Sequence, residues 1–223
     1  IIFKQTLHHI QPYTFQYHKA KLDILLKENP QFVTLKNYIE KINSNDFPHH
    51  IFTYNKNNPN NQRASQLKFS RLEIKKIEKQ NQANQLAELA LNLSNTNKER
   101  HKAIQDFMLI NDSTTIAVEV PVYLTNWDAG YYKNQRGFIF PLNNYATPIT
   151  GHIDILQIRN NLLHILDYKP NADKINPIEQ LTLYALALSR KLNIPLYFFK
   201  CAWFDENSYF EFFPLHAVYK KNK

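Results

Sequence analysis

Residues 151–169 contain the sequence feature that most restricts the fold. Asn160 and Asn161 separate two segments, 151–159 and 162–169, that are both rich in isoleucine and leucine. Asparagine tolerates a positive φ angle, so this pair predicts a two-residue turn between antiparallel strands. Because apolar side chains occupy both faces of both strands, we expect the hairpin near the centre of a sheet that is covered on both sides.

The same turn predicts the register of the hairpin. It pairs Arg159 with Leu162 and, further from the turn, sets Asp154 opposite Asp167, with Lys169 on the same face as Asp167. Like charges directly opposite each other destabilise a sheet, so the two acids need a partner. A divalent cation that prefers oxygen ligands, such as Mg²⁺, would supply it. The alternative is a solvated sheet end where each acid pairs separately with a lysine or arginine.

A helix start signal follows the hairpin. Asn176 can cap a helix that has Pro177 at its first position. In that helix Gln180 and Tyr184 lie four residues apart and share one face. A right-handed crossover to a strand over 194–204 would lay the helix across the sheet that carries the acids. Without the hairpin, the pair would be interpreted as an exposed glutamine beside a half-buried tyrosine.

The periodicity of apolar residues divides the chain into a helix-rich first half and a strand-rich second half. The predicted helices cover residues 15–27, 32–42, 66–110 with one break, and 176–192, and the predicted strands cover 114–124, 150–169 as a hairpin, 194–204 and 209–213. The polar segment 55–63 predicts a loop and a candidate domain boundary. We therefore predict a mixed α/β protein with a helical region over 1–111, its first core helix within 80–110, and a sheet-containing core over 112–223.

Composition and charge narrow the class of protein. Hydrophobic residues make up 43% of the chain and charged residues 21%, which excludes disordered, collagen-like and coiled-coil chains. The net charge of +8 favours a polyanionic partner such as nucleic acid, although it could also serve solubility alone. No apolar run reaches the roughly 18 residues that span a bilayer, so we expect no membrane partner and an intracellular protein, cytoplasmic or nucleoid-associated.

Three motifs in this order and spacing resemble the PD-(D/E)xK nuclease superfamily, in its RecB-like branch. They are Gly151-His-Ile-Asp154, Asp167-Tyr-Lys169 and Gln180-x-x-x-Tyr184. The resemblance covers roughly residues 114–204. It implies a restriction-endonuclease-like core, in which a mixed sheet is flanked by helices, and the hydrolysis of phosphodiester bonds with Mg²⁺ or Mn²⁺.

The resemblance also implies a role for each motif residue. Asp154 and Asp167 would bind the metal together with the backbone carbonyl of Tyr168. Gln180 and Tyr184 would steady the site and the nucleic acid.

Lys169 would orient or activate the attacking water. A lysine is a strong general base only when its pKa is depressed, so we assign positioning and charge stabilisation to it first. A divalent cation held by two acids can polarise the phosphoryl oxygen, lower the pKa of a bound water and stabilise the leaving oxygen.

A further metal ligand is expected upstream of the hairpin. Glu119, in Ala117-Val-Glu-Val-Pro121, resembles the Glu-x-Pro strand that often precedes the first motif, and it is either a ligand or a structural carboxylate. The family pattern also has an acid or histidine on a helix. Glu88 is the first choice for this position, while Glu99 or His101 could equally fill it.

The remaining features bear on partners and cofactors. The single Cys201 excludes, within this chain, the iron–sulfur cluster of some members of the branch. We expect DNA as the substrate, with RNA as an alternative, and a larger nuclease or helicase assembly is compatible with the sequence. The rival interpretation is an inactive member that only binds nucleic acid or serves as a scaffold. The histidines His8, His9, His49 and His50 are interpreted as surface or local hydrogen-bonding groups.

Two surface segments combine basic and aromatic residues. The segment 125–148 either stacks bases and holds phosphates or forms a packed aromatic flap; its relevant residues are Trp127, Tyr131, Tyr132, Lys133, Arg136 and Phe138. Basic residues of the N-terminal region either clamp nucleic acid or form a solvated face; they are Lys19, Lys21, Lys68, Arg71, Lys75 and Lys76.

Overall fold

The computed structural model describes residues 1–53, 62–68, 77–93, 99–138, 140 and 147–218. The strands are β1 (Ile2–His8), β2 (Pro12–His18), β3 (Gln62–Arg63), β4 (Ile77–Glu78), β5 (Thr115–Leu124), β6 (Ile149–Arg159), β7 (Leu162–Tyr168), β8 (Phe199–Phe204) and β9 (Tyr209–Phe212). The helices are α1 (Lys19–Glu28), α2 (Thr34–Lys41), α3 (Gln82–Asn92), α4 (Arg100–Asn111), α5 (Asn126–Arg136), α6 (Ile178–Leu192) and α7 (Leu215–Val218). The protein is therefore a mixed α/β protein, as the sequence predicted.

All nine of these strands belong to one mixed sheet. Its order is β1-β2-β5-β6-β7-β8-β9-β4, and β3 pairs with β6 beside this path. The β7–β8 and β3–β6 pairs are parallel, and the other pairs are antiparallel. The parallel pair β7–β8 is joined through α6, which packs against both strands and against β5. This connection is the crossover that the sequence predicted.

The central hairpin forms with the predicted turn and register. Asn160 and Asn161 adopt φ angles of 51° and 58°, which a two-residue turn of this type requires. The ladder runs from Arg159 opposite Leu162 to Ile155 opposite Leu166. Alternate residues of the two strands enter separate hydrophobic clusters, so both faces of the hairpin are buried.

The helical prediction for residues 15–27 is wrong at its start. Residues 2–18 form the hairpin β1–β2, and β2 pairs with β5 through Gln16 and Tyr17. The helix begins only at Lys19, where the side chain of His18 caps it. Hydrogen bonding to β5 and burial of the aromatic residues of β2 outweigh the helical spacing of the apolar residues, because tertiary contacts override weak local preference.

Two other segments differ from the prediction. Residues 77–81, expected to be helical, contain the short strand β4, which pairs with β9. Residues 126–136, for which the sequence predicted neither a helix nor a strand, form α5 between a Thr125 capping box and Gly137, whose φ of 66° ends the helix. The predicted loop 55–63 lies outside the described residues except for its last two, which form β3.

The N-terminal elements are anchored on the core. The ammonium group of Lys21 donates to the carbonyl oxygens of Leu109, Ile110 and Asp112 at 2.6, 3.1 and 2.7 Å, which caps the end of α4. Apolar residues of α1 and α2 also share one hydrophobic cluster with those of β5 and β6. The N-terminal region therefore supports the same sheet that carries the acids.

None of the helices in the described part of the chain has the length and apolar character needed to cross a membrane.

Candidate functional site

Three carboxylates form a row across three adjacent strands at the centre of the sheet. The pairs that flank them in the β5–β6 ladder place Glu119 opposite Asp154. The β6–β7 ladder ends one pair before Asp154 and Asp167, and continuing its register sets these two acids opposite each other. The sequence predicted the facing pair Asp154–Asp167 and named Glu119 as a candidate ligand, and the structure places Glu119 on the far side of Asp154.

Glu119 has an unusual backbone for a strand residue. Its φ angle is 53°, in the left-handed region that costs a residue with a side chain about 1–2 kcal/mol. The side-chain amide of Gln105 on α4 donates to Glu119 Oε1 at 2.8 Å and holds the carboxylate in place. Strained backbone of this kind concentrates at functional sites, where the surrounding structure maintains it.

The two central acids differ in their electrostatics. Burial raises the pKa of Asp167 well above its usual value, and the neighbouring charge of Asp154 raises it further. For Asp154 burial acts in the same direction, but hydrogen bonds from His101 and Asp167 outweigh it and lower the pKa. Asp154 Oδ2 also accepts a hydrogen bond from the backbone N–H of Tyr168 at 3.2 Å. Of the two acids, Asp167 is therefore the one that binds a proton more readily.

Lys169 makes an ion pair with Asp167. Its ammonium nitrogen lies 2.8 Å from Asp167 Oδ2 and 3.1 Å from Oδ1. Burial disfavours the charged lysine, but the charges of Asp167 and Asp154 outweigh it and raise the pKa. Lys169 is therefore a fixed cation beside the acids rather than a general base.

Glu119 is the third titratable acid of the row. Burial, followed by the charge of Asp154, raises the pKa of its carboxyl to about 7. Since its usual value is 4.5, Glu119 takes up a proton on folding between pH 4.5 and about 7. The stability that this proton provides is complete below pH 4.5 and is lost as the pH rises through about 7.

This linkage gives a prediction for Glu119→Gln in the absence of divalent cations. The free energy of unfolding of the wild type should fall, relative to the variant, by up to about 3 kcal/mol between pH 4.5 and 8. Chemical denaturation at several pH values measures it, and Glu88→Gln on the exposed face of α3 is the matched control. If the free energy of unfolding changed with pH in the same way for the wild type and Glu119→Gln, the raised pKa of Glu119 would be contradicted.

His101 is the helix-borne residue that contacts the acids. It lies on α4, with its Nε2 atom 3.5 Å from Asp154 Oδ2 and its ring edge-on to Tyr168. Burial disfavours the charged ring, but the hydrogen bond and charge of Asp154 outweigh it and raise the pKa of His101. Glu88, the first choice from the sequence, is exposed on α3, and the structure does not bring it to the acids; Glu99 is also exposed.

Gln180 and Tyr184 share one face of α6, as predicted. The amide of Gln180 donates to the Tyr184 hydroxyl at 2.9 Å. Burial and the charges of Asp167 and Asp154 raise the pKa of Tyr184, so its hydroxyl stays protonated beside the acids. The ring lies so close to Gly151 that a Cβ atom there would stand 2.2 Å from Tyr184 Cε1. The first motif therefore needs glycine because the tyrosine of the third motif packs on it.

Gly151→Ala should destabilise the protein by about 1–3 kcal/mol, the usual cost of inserting a methyl group into a packed core. Urea unfolding measures this, and the same substitution in a Tyr184→Leu background is the control. The penalty should shrink there because the contacted ring atoms are gone. An equal penalty in both backgrounds would show that Tyr184 is not the cause.

The donor set fits a hard divalent cation. Among the described residues, no group of three or more histidine, cysteine or acidic side chains stands ready to hold a metal ion. Mg²⁺, however, usually needs only one or two carboxylates, and waters and substrate phosphate oxygens complete its shell. Asp154 and Asp167 supply two carboxylates, and the carbonyl of Tyr168 points to the same side of β7 as its N–H, which donates to Asp154. Rotation of the Glu119 side chain would add a third acid.

A row of three histidines, two buried and one half-buried, lies beside the site, and the sequence did not assign them to it. His152 Nε2 lies 2.7 Å from His9 Nδ1, and His9 Nε2 lies 3.1 Å from His49 Nδ1. Burial lowers the pKa of His9 to about 4 and that of His152 well below its usual value, so both rings are neutral. The ring of Tyr13 stacks on His152 with centroids 3.7 Å apart. The sequence predicted surface or local hydrogen-bonding groups; His9 and His49 do make hydrogen bonds, but His9 is buried and contacts His152 from 143 residues away.

The aromatic segment after β5 is largely packed rather than exposed. Tyr132 and Phe138 are buried, and the Tyr132 hydroxyl donates to the carbonyl of Leu186 on α6. Trp127 is exposed. Of the basic N-terminal residues, Lys21 caps α4, whereas Arg71, Lys75 and Lys76 lie outside the described residues. Cys201 is buried as a free thiol.

Comparison with known protein families, with curated proteins and with solved structures found no match.

Proposed function

We propose that this protein is a metal-dependent nuclease that hydrolyses phosphodiester bonds, with DNA as its substrate. The observation that carries the proposal is the row Glu119–Asp154–Asp167 on central strands, in which Asp167 is buried and paired with the cation of Lys169 and the other two acids are half-buried. Carboxylates that face each other repel and so destabilise the metal-free protein. A bound divalent cation would remove this repulsion. The proposed fold is correspondingly a restriction-endonuclease-like core around β5–β8 and α6.

The acids and Lys169 have separate tasks in this mechanism. Asp154 and Asp167, with the carbonyl of Tyr168, would hold Mg²⁺ or Mn²⁺, and Glu119 would complete the shell. The bound cation would lower the pKa of a water and stabilise the charge that develops on the phosphate. Lys169, which stays protonated, orients the attacking water and stabilises the same charge.

The remaining residues position the site. His101 orients Asp154 from α4, and Gln105 holds Glu119. The hydroxyl of Tyr184, oriented by Gln180, donates a hydrogen bond toward the acids or a substrate phosphate. Such supporting contacts typically change activity 10–100-fold when they are removed.

The net charge of +8 supports a nucleic-acid substrate. DNA is the first choice by resemblance to the RecB-like branch, and RNA is the alternative. A protein with this substrate would act inside the cell, in the cytoplasm or at the nucleoid, alone or within a larger nuclease or helicase assembly.

The test is a cleavage assay with labelled single- and double-stranded DNA and RNA in Mg²⁺, Mn²⁺ or EDTA. We expect cleavage that requires the cation and that prefers DNA. Lys169→Ala, purified in parallel, shows whether a contaminating nuclease contributes. Binding without cleavage in every metal would replace the proposal with a binding or scaffold role, and cleavage of RNA alone would correct the substrate.

A further inference from the structure

The short strand β3 brings an additional cation to the site. It pairs in parallel with the start of β6, where Arg63 lies opposite Thr150, next to Gly151 of the first motif. Thr150 lies near the start of β6, at the opposite end of this strand from the turn at Asn160 and Asn161. Arg63 is half-buried, so part of its side chain is accessible to solvent.

The N-terminal hairpin orients this guanidinium. Arg63 Nη2 donates to the hydroxyl of Tyr13 at 2.6 Å, and the ring of Tyr13 is in turn stacked on His152. His152 is itself fixed by its contact with His9.

Arg63 differs from Lys169 in its partners. Lys169 is neutralised by Asp167, whereas among the described residues no carboxylate lies within ion-pair distance of Arg63. Arg63 nevertheless lies beside the site, because it pairs with Thr150, the neighbour of the Gly151 on which Tyr184 packs. A guanidinium with one neutral partner retains several N–H groups in a planar fork, which matches the oxygens of a phosphate.

We propose that Arg63 forms a phosphate-binding subsite next to the acids and holds a backbone phosphate of the nucleic acid. This deepens the proposed function, on which it rests. The phosphate would occupy the side of Tyr184 that faces β3, while the reacting phosphate lies over the acids. The subsite would fix the register of the strand in the site without reading its sequence.

The test measures the binding of fluorescent single-stranded and duplex DNA in EDTA, where no cleavage occurs, across a series of salt concentrations. Arg63→Gln should weaken binding about tenfold at moderate salt. It should also reduce the slope of log K against log salt by about 0.7 for the single strand and about 0.9 for the duplex, the value of one phosphate contact. Tyr13→Phe, which keeps the stacked ring, should weaken binding about two- to fivefold.

The matched control is Arg159→Gln. Arg159 is also half-buried but lies at the other end of β6, nine residues and about 30 Å from Thr150. The Arg159→Gln variant should bind DNA with the affinity and salt slope of the wild type. A wild-type salt slope for Arg63→Gln, or an equal loss for Arg159→Gln, would overturn the subsite. If Arg63→Gln unfolds at a lower temperature than the wild type in a thermal scan, Arg63→Lys is used instead. This variant keeps the charge but loses the planar fork, so we expect the slope of log K against log salt to be retained and the affinity for DNA to be lowered.

Failure of this inference is distinguishable from failure of the proposed function. Metal-dependent cleavage by the wild type, with unchanged binding and KM in Arg63→Gln, would overturn the subsite alone. Absence of both cleavage and DNA binding in the wild type would overturn both.

Discussion

Asp167→Asn should reduce cleavage by about 10³-fold or more while the fold is retained. The change keeps the size of the side chain but removes one of the two carboxylates that face each other at the centre of the sheet. Metal-assisted charge stabilisation is worth several kcal/mol, and each 1.4 kcal/mol is a factor of ten in rate. Single-turnover cleavage in Mg²⁺ and Mn²⁺ measures the loss.

The same variant should be more stable than the wild type in the absence of metal. The pKa of Asp167 is raised by burial and by Asp154, so its ionised form is disfavoured in the folded protein. The wild type therefore loses stability as the pH rises above 3.8, until the folded-state pKa is passed, and asparagine avoids this loss. We expect a gain of about 1–3 kcal/mol at pH 8 that shrinks toward pH 4.

The control for both effects is Asp173→Asn, an exposed acid that follows the hairpin. It should cleave and unfold like the wild type. Unchanged cleavage by Asp167→Asn would refute the site, and a loss of stability at pH 8 would refute the electrostatic account of the paired acids.

Lys169→Met should reduce cleavage about 10²–10³-fold and, unlike Asp167→Asn, should destabilise the protein. Methionine keeps most of the apolar stem but leaves the buried Asp167 without its cation at 2.8 Å. Because the pKa of Lys169 is raised in the folded state, its contribution is complete at neutral pH and is lost only as the pH rises through that value. We expect a loss of about 1–3 kcal/mol at pH 7, less than for a fully buried pair because Asp167 can take up a proton.

Unfolding in urea and single-turnover cleavage measure these two effects. Lys174→Met, an exposed lysine on the same connection, should change neither. Lys169→Arg keeps the charge and should recover stability better than activity, because water positioning depends on the geometry of the ammonium group. Equal stability of Lys169→Met and the wild type would show that the ion pair contributes nothing.

The central hairpin was predictable because its determinants are local. A two-residue turn needs residues that tolerate positive φ, and Asn160 and Asn161 supply them. Once the turn is fixed, the strand period of two decides which side chains face each other. The opposition of Asp154 and Asp167 follows from the sequence for the same reason.

The N-terminal hairpin was not predictable in this way. Its strand β2 pairs with β1 along its whole length, but the hairpin joins the sheet only through β5, about 100 residues further along the chain. The apolar spacing of 15–27 fits a helix as well as a strand followed by a helix, and no asparagine or glycine at the break separates the two cases. The proposed phosphate-binding subsite at Arg63 was not predictable for the same reason, because Tyr13 and β3 come close to the site only when the sheet forms.

The helix residue that contacts the acids was not predictable from the local sequence either. Glu88, Glu99 and His101 all lie on helical segments upstream of β5. Which of them reaches the sheet depends on where α4 begins and how it packs. The positive φ of Glu119 is also a tertiary effect, since its neighbours are ordinary strand residues and the support comes from Gln105.

Calorimetric titration of the metal-free protein with Mn²⁺ at pH 7.5 tests most directly whether the facing acids hold a cation. We expect one tightly bound Mn²⁺ per chain, with protons released from Asp167 and Glu119 because both have raised pKa values. Binding should be lost in Asp167→Asn and retained in Asp173→Asn. Absence of Mn²⁺ binding in the wild type, or undiminished binding in Asp167→Asn, would contradict the account.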